Sequence, residues 1–368
     1  MEKIHEVIVV NLIVILVNSY VAGQNLLPDG SPYFCVPPGI CLGGIDPRIL
    51  TPRIQEDSEA TVGEDLPTLI DKVFNEKILT DGTPTPGIAT CPAGKLPCYA
   101  QGSMSSCGQS ANKNVKDGLA DPDAYPWLGY LAGPSGYLGV GSLLSPYHVL
   151  TAAHKVLAFN ATPQQLTIYF GVNNPATLNE PPLKPNSTAS KIYIHPAHNN
   201  STLKNDIAVV RLLNPIGLLD TNRVNTVCIP SATATNTTFT AKPQPCLVSG
   251  WGQIQPNNTA VPTQLKQVNV NTTDIDTCEK GFSGKVDTSI YLDKVGEICA
   301  GGEAQKDACF QDGGAPLNCR TAENPAAFTV AGIVIWGKSC GQPGVYGVYT
   351  NVPTYRSWIV GVLTEPIP

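Results

Sequence analysis

The chain has 368 residues, enough for one large domain and a smaller one, and 42% of them are hydrophobic against 14% charged, so a sizeable core can form. A formal charge of -6 with no run of basic residues excludes partners that demand a cationic surface, nucleic acid and anionic membrane among them. The 34 glycines and 33 prolines describe a turn-rich, mostly β chain.

At the N-terminus Lys3 and His5 precede an apolar run from Val7 to Val17, and Val21, Ala22 and Gly23 follow. This layout predicts a signal peptide over residues 1–23, because the run is too short to span a bilayer. No later segment is apolar enough to be an anchor. Twelve cysteines, an even number, fit disulfides made in an oxidising compartment. Seven Asn-x-Ser/Thr sequons, at Asn160, Asn186, Asn199, Asn200, Asn236, Asn257 and Asn271, predict a glycoprotein. The expected location is extracellular.

Residues 24–98 hold Cys35, Cys41, Cys91 and Cys98 among prolines, glycines and acidic residues, with little periodicity. Five acidic residues between Glu56 and Asp65 read as a solvated loop. The economical prediction is a small disulfide-pinned module, with residues 99–120 as linker and residues 121–364 as the main domain.

From Pro126 onward short apolar segments alternate with turns: GYLGVGSLLS, QLTIYFGV, KIYIH, DIAVVRLL, PCLVSGWG, AFTVAGIVIWG and VYGVYTNV. This spacing predicts an all-β barrel or sandwich. Near the end Tyr355, Trp358, Ile359, Val362 and Leu363 share one helical face after Pro353, which predicts a single C-terminal helix.

Three islands carry the chemistry. LTAAHK presents His154, NDIAVVRL presents Asp206, and CFQDGGAPLNC is a glycine-rich loop between Cys309 and Cys319. With SGWG at Ser249–Gly252 and their order along the chain, these islands resemble the chymotrypsin family. The resemblance implies two six-stranded β-barrels and a C-terminal helix. It also implies that the nucleophilic serine is replaced by Gly313 in the run Cys309, Phe310, Gln311, Asp312, Gly313, Gly314, Ala315, Pro316. Glycine has no hydroxyl for an imidazole to deprotonate, so the expectation is no enzyme and no catalytic residue, with His154 and Asp206 vestigial. Either they persist as a structural hydrogen-bonded pair or they belong to a metal site, for which no third ligand of suitable spacing is present. No metal and no cofactor are expected.

Other departures point the same way. Gln311 replaces an oxyanion-hole glycine, and Ile335 stands where the family usually has a serine supporting the triad carboxylate. Lys155 stands where a cysteine is normal, with no cysteine near Gly141 to pair with it. The usual activation site is missing from NKNVKDGLADPDAY, so Asp312 is expected to lack its ammonium partner. Asp307, six residues before Gly313, matches the acid at the base of a trypsin-like specificity pocket, with Trp336 and Gly337 at its wall. Either the pocket still holds an Arg or Lys side chain, or it has collapsed around a solvated carboxylate.

The resemblance further implies the pairs Cys246–Cys319, Cys278–Cys299, Cys309–Cys340 and Cys107–Cys228. The segments YFCVPPGIC and CPAGKLPC resemble the clip domain of arthropod serine proteases with one bridge missing, which implies Cys35–Cys91 and Cys41–Cys98. An unrelated disulfide-pinned arm is the alternative. Clip-domain serine protease homologues imply a regulator of an extracellular protease cascade, chiefly prophenoloxidase activation and melanisation. The partner would be a cascade protease or prophenoloxidase. An antagonist or decoy, for example a venom or host-modulating protein, is favoured because it needs neither a complete clip nor an activation site. A cofactor switched on by cleavage at Arg48 or Arg53 and an adhesive or matrix scaffold are the alternatives.

Overall fold

The computed structural model of the chain describes residues 107–110, 116–180, 183–218, 224–253, 264–283, 291–322 and 325–365, and the backbone of three strands nearer the N-terminus. The chain divides into two compact units, residues 1–104 with 366–368, and residues 105–365. In the first unit β1 (Asn25–Leu26), β2 (Pro32–Val36) and β3 (Leu96–Tyr99) form an antiparallel sheet in the order β1-β2-β3. Its register sets Cys35 opposite Pro97 and Phe34 opposite Cys98. The proposed signal peptide, Cys41, Cys91, Arg48 and Arg53 lie outside the described residues, and with them the pairs Cys35–Cys91 and Cys41–Cys98.

The second unit opens with β4 (Gly118–Leu119), followed by β5 (Leu128–Gly133), β6 (Gly136–Ser145), β7 (His148–Thr151), the short helix α1 (Ala153–Val156), β8 (Thr167–Phe170), β9 (Asn186–Ile194) and β10 (Ala208–Leu212). Strands β5 to β10 close into a barrel in the order β10-β7-β6-β5-β8-β9. The chain continues through β11 (Pro245–Gly250), β12 (Lys266–Thr273), α2 (Ile275–Phe282), β13 (Glu297–Gly301), β14 (Pro316–Cys319), β15 (Thr329–Trp336), β16 (Tyr346–Asn351) and α3 (Val352–Leu363). The order β11-β14-β15-β16-β13-β12, closed by the pairing of β11 with β12, makes a second six-stranded barrel, and β4 adds to its β12 edge. The fold is all-β and chymotrypsin-like. Residues of the stretch read as linker thus join the second barrel, where Lys266 pairs with Leu119.

Period two governs the exposed strands. In β8 Ile168 and Phe170 are buried while Thr167 and Tyr169 are half-buried. β15 instead reads as an unbroken buried run from Thr329 to Ile335, and α3 packs against it. Trp127 and Trp251 are fully buried, and Trp127 meets Phe328 at 5.9 Å, joining the turn before β5 to the residues that lead into β15. Truncating such a side chain costs about 3–5 kcal/mol.

The C-terminal helix buries Tyr355, Ile359 and Val362, with Pro353 in its first turn, where its missing N–H costs nothing. A second helix, α2, stands where none was read. Its apolar face is Ile275, Cys278 and Phe282, at i, i+3 and i+7 over only two turns, and its N-terminus is marked by a cap: the Asp274 carboxylate accepts the Thr277 N–H at 2.8 Å. Four disulfides close within the described residues: Cys107–Cys228, Cys246–Cys319, Cys278–Cys299 and Cys309–Cys340. Among the described residues no helix is long and apolar enough to cross a membrane.

Candidate functional site

Strands β7 and β10 run antiparallel with Thr151 opposite Ala208, so α1, which follows β7, meets the turn that leads into β10. That register brings His154 and Asp206 together. Asp206 is fully buried, and its carboxylate accepts the His154 backbone N–H at 2.8 Å and faces the ring Nδ1 at 2.5 Å. The Thr350 hydroxyl donates to the Asp206 carbonyl at 2.7 Å, anchoring the turn to the second barrel. His198 Nδ1 lies 3.8 Å from the other Asp206 oxygen, and Ile335 is buried. His154 and Asp206 therefore keep the arrangement of a general base with its orienting carboxylate. Among the described residues no group of three metal-ligating side chains is found.

The partner of that base should come from the loop between Cys309 and Cys319. A Cβ at Gly313 would lie 3.2 Å from His154 Nε2, so position 313 does face the imidazole, with no side-chain atom to offer it. The same Cβ would overlap the Lys155 Cε and lie 3.0 Å from its Nζ. The Lys155 stem also runs past Gly139, 3.2 Å from where a Cβ would stand there. The lysine thus fills the space in front of both glycines. No hydrogen bond or ion pair of its ammonium is found among the described residues. Burial holds its pKa below the ordinary lysine value, against the pull of the Asp312 and Asp206 charges.

Two further features mark the loop. Gln311 adopts φ 75°, a left-handed conformation in which a side chain costs roughly 1–2 kcal/mol, and the Tyr137 hydroxyl donates to its carbonyl at 3.0 Å. Asp312 is buried and accepts N–H groups of Gly252 at 2.8 Å and Cys309 at 2.9 Å. Burial pushes its pKa up to about 6, against those two donors and the charges of Lys155 and Lys266. Among the described residues no ion pair of Asp312 is found. The N–H groups of residues 312, 314 and 315 are all used within the fold, whereas those of Gln311 and Gly313 have no acceptor among the described residues.

Asp307 stands at the start of the same loop. One carboxylate oxygen accepts the Gly341 N–H at 3.2 Å, while Oδ1 is buried and unpartnered. Burial raises its pKa to about 7, opposed by the N–H groups of Gly341 and Ala308 and assisted by the Asp312 charge. A Cβ at Gly347 would crowd this Oδ1 at 2.8 Å, and Gly337, across from Gly347, has no neighbour nearer than 3.8 Å. Two glycines therefore keep side chains away from the buried acid. Trp336 is half-buried, its ring 5.3 Å from Phe282. Glu297, on β13, is itself pushed up to about 7, mainly by burial.

Sequence reasoning singled out Lys155 as a missing cysteine and did not foresee that its stem would lie across Gly139 and Gly313. The available signal was the glycine-rich run at Gly136, Gly139 and Gly141, which leaves room beside it for one long side chain. Of the sequons, Asn160, Asn186, Asn199, Asn200 and Asn271 are exposed, Asn236 is half-buried, and Asn257 lies outside the described residues.

Comparison with known proteins agrees with this geometry. The family profile described as Trypsin matches residues 118–359, more than half of the chain. "Inactive CLIP domain-containing serine protease A3" of Aedes aegypti is 32% identical over 341 residues, which cover 90% of this chain and 66% of that protein. The chain thus spans just under two thirds of that relative. "Trypsin-3" of Salmo salar is 31% identical over 226 residues, 61% of this chain and 82% of the trypsin. The fold, the profile and both relatives converge on one assignment: the chain belongs to the trypsin family, as a clip-domain serine protease homologue.

Proposed function

We propose that this homologue is secreted and works without catalysis, as an antagonist in an extracellular protease cascade of the kind that activates prophenoloxidase for melanisation. The observation that carries the reading is position 313: a glycine faces an intact His154–Asp206 pair, and Lys155 covers it. Losing the serine alone costs a serine protease on the order of a millionfold in turnover. A cleft that keeps its shape and has lost its nucleophile can still dock on what an active protease docks on. Asp307, Trp336 and Gly337 supply a pocket for an Arg or Lys side chain that is held and not cut. The partner is a cascade serine protease or prophenoloxidase, and occupancy of its docking surface lowers activation by mass action.

The test adds purified protein at increasing dose to insect haemolymph and reads phenoloxidase activity. Dose-dependent suppression is expected. Enhancement would make the protein a cofactor, and no effect would remove the melanisation assignment. In parallel, hydrolysis of Arg- and Lys-containing peptides should equal the buffer rate. Hydrolysis that disappears in His154→Ala would overturn the non-catalytic reading.

A further inference from the structure

Position 313 has lost more than a hydroxyl, because a positive charge now stands beside it. The Lys155 ammonium lies 3.0 Å from the point where a side chain at 313 would begin, unpaired among the described residues. Two main-chain N–H groups of the adjoining loop, of Gln311 and Gly313, have no acceptor either. One cation and two N–H donors make a constellation for an anion, and an oxygen anion with two acceptor atoms suits it. At the start of the same loop stands an acid: the Asp307 Oδ1, buried and unpartnered, with Gly347 beside it and Gly337 facing Gly347. A ligand that satisfies both ends carries a cation on a flexible stem and a carboxylate at its root.

We propose that the remodelled cleft is a receptor for the free C-terminal carboxylate of a peptide ending in lysine or arginine, with the basic side chain reaching Asp307 and the carboxylate meeting Lys155 and the N–H groups of Gln311 and Gly313. The inference rests on the pocket reading given above and specifies its ligand. An uncleaved chain passing through the cleft presents a neutral carbonyl at this point and leaves the Lys155 charge unanswered. A cleaved end presents a full negative charge and forms a charge-assisted hydrogen bond, roughly twice as strong as a neutral one. Hydrolysis after lysine or arginine is the class of reaction that supplies such ends. The protein would thus bind what an active trypsin-like protease has already cut, and occupancy would follow that protease's output.

The test uses the full chain and three synthetic hexapeptides of one sequence: ending in arginine with a free carboxylate, ending in arginine amide, and ending in leucine with a free carboxylate. Calorimetry or fluorescence anisotropy reads the affinities at low and physiological salt. The arginine acid should bind at least about tenfold more tightly than the amide, as expected for one charge-assisted contact. The leucine acid should bind more weakly than either. Lys155→Met should bring the acid down to the level of the amide, and Asp307→Asn should weaken both arginine peptides. Equal affinity of acid and amide would overturn the carboxylate assignment and leave the pocket reading standing. Equal affinity of arginine and leucine peptides, or no binding of any, would overturn both. Because the ligand series is run on the unaltered protein, a variant that fails to fold does not rescue the proposal.

Discussion

The two barrels have diverged in opposite ways. The first keeps a buried Asp206 bonded to His154 and has no internal disulfide among its described residues, with the Lys155 stem lying against Gly139. The second keeps three internal disulfides, Cys246–Cys319, Cys278–Cys299 and Cys309–Cys340, and turns a glycine, Gly313, toward the His154 imidazole. The covalent frame still holds the loop from Asp307 to Gly314 in place, and what it now displays is an acid, two open N–H groups and a borrowed lysine.

The largest expected effect breaks that division by returning the hydroxyl. Gly313→Ser alone should hydrolyse an activated aryl ester more slowly than the variant that also loses Lys155, because the new Cβ must first push aside the flexible tip of that lysine. Gly313→Ser with Lys155→Ala should raise ester hydrolysis above background in a His154-dependent way, yet far short of a working protease with Gln311 in the oxyanion loop. A single variant as active as the double one would mean that Lys155 does not fill the site.

Cutting the frame comes next. Replacing Cys309 and Cys340 by alanine removes the tie between the loop and the segment that follows β15, and the loss of a native disulfide costs about 2–5 kcal/mol. Binding of basic peptides should fall with stability, while His154 and Asp206 in the first barrel stay paired. Hydrogen exchange by mass spectrometry would show protection lost around residues 305–316 and kept in β7 and β10.

Acid should also separate the barrels. In the first, His148 is buried, its Nδ1 2.8 Å from the Ser145 hydroxyl, and burial lowers its pKa from 6.5 to about 3 with Arg211 assisting. Between pH 6.5 and 3 the unfolded chain carries that proton and the folded one does not, so stability falls as pH falls, at up to about 1.4 kcal/mol per pH unit. In the second barrel Asp307 at about 7, Asp312 at about 6 and Glu297 at about 7 are all raised. From neutral pH down to their unfolded values the folded chain holds protons that the unfolded one lacks, so their contribution to stability grows on acidification. Residue-resolved exchange between pH 7 and pH 4 should show the second barrel opening less and the first opening more. Uniform loss across both would mean that the three carboxyls are ionised in the fold.

The architecture was legible because it rests on repetition. Seven apolar segments spaced by turns imply a β fold without reference to any one residue, and β6, β10, β11, β15 and β16 fall within segments quoted from the sequence. The helix α2 was harder to read, since its apolar face of Ile275, Cys278 and Phe282 spans only eight residues, too short a window for the period to stand out. At the site, His154 and Asp206 could be read because each sits at the end of an apolar strand, in a register that barrel closure fixes. Lys155 could be flagged as an oddity and no more. Whether a lysine turns outward to water or lies across a glycine depends on the volume left by residues far away in sequence, here Gly139 and Gly313.

Gln311 gives the smallest effect and the finest test of what the loop has become. Its φ of 75° is one that glycine adopts freely, and a side chain there costs roughly 1–2 kcal/mol. Gln311→Gly removes that cost but loosens the unfolded chain, which takes back about 0.4–1 kcal/mol. The Tyr137 hydroxyl bond is to the backbone carbonyl and survives the change. The net should be a stabilisation of at most about 1.6 kcal/mol, seen as a Tm higher by no more than roughly 6 °C for a domain of this size. Affinity for the arginine acid should hold, because the N–H group that meets the carboxylate belongs to the backbone. A destabilised variant would show that the Gln311 side chain has taken up a contact of its own. The loop would then be maintained for what that side chain touches as well as for the N–H groups it displays.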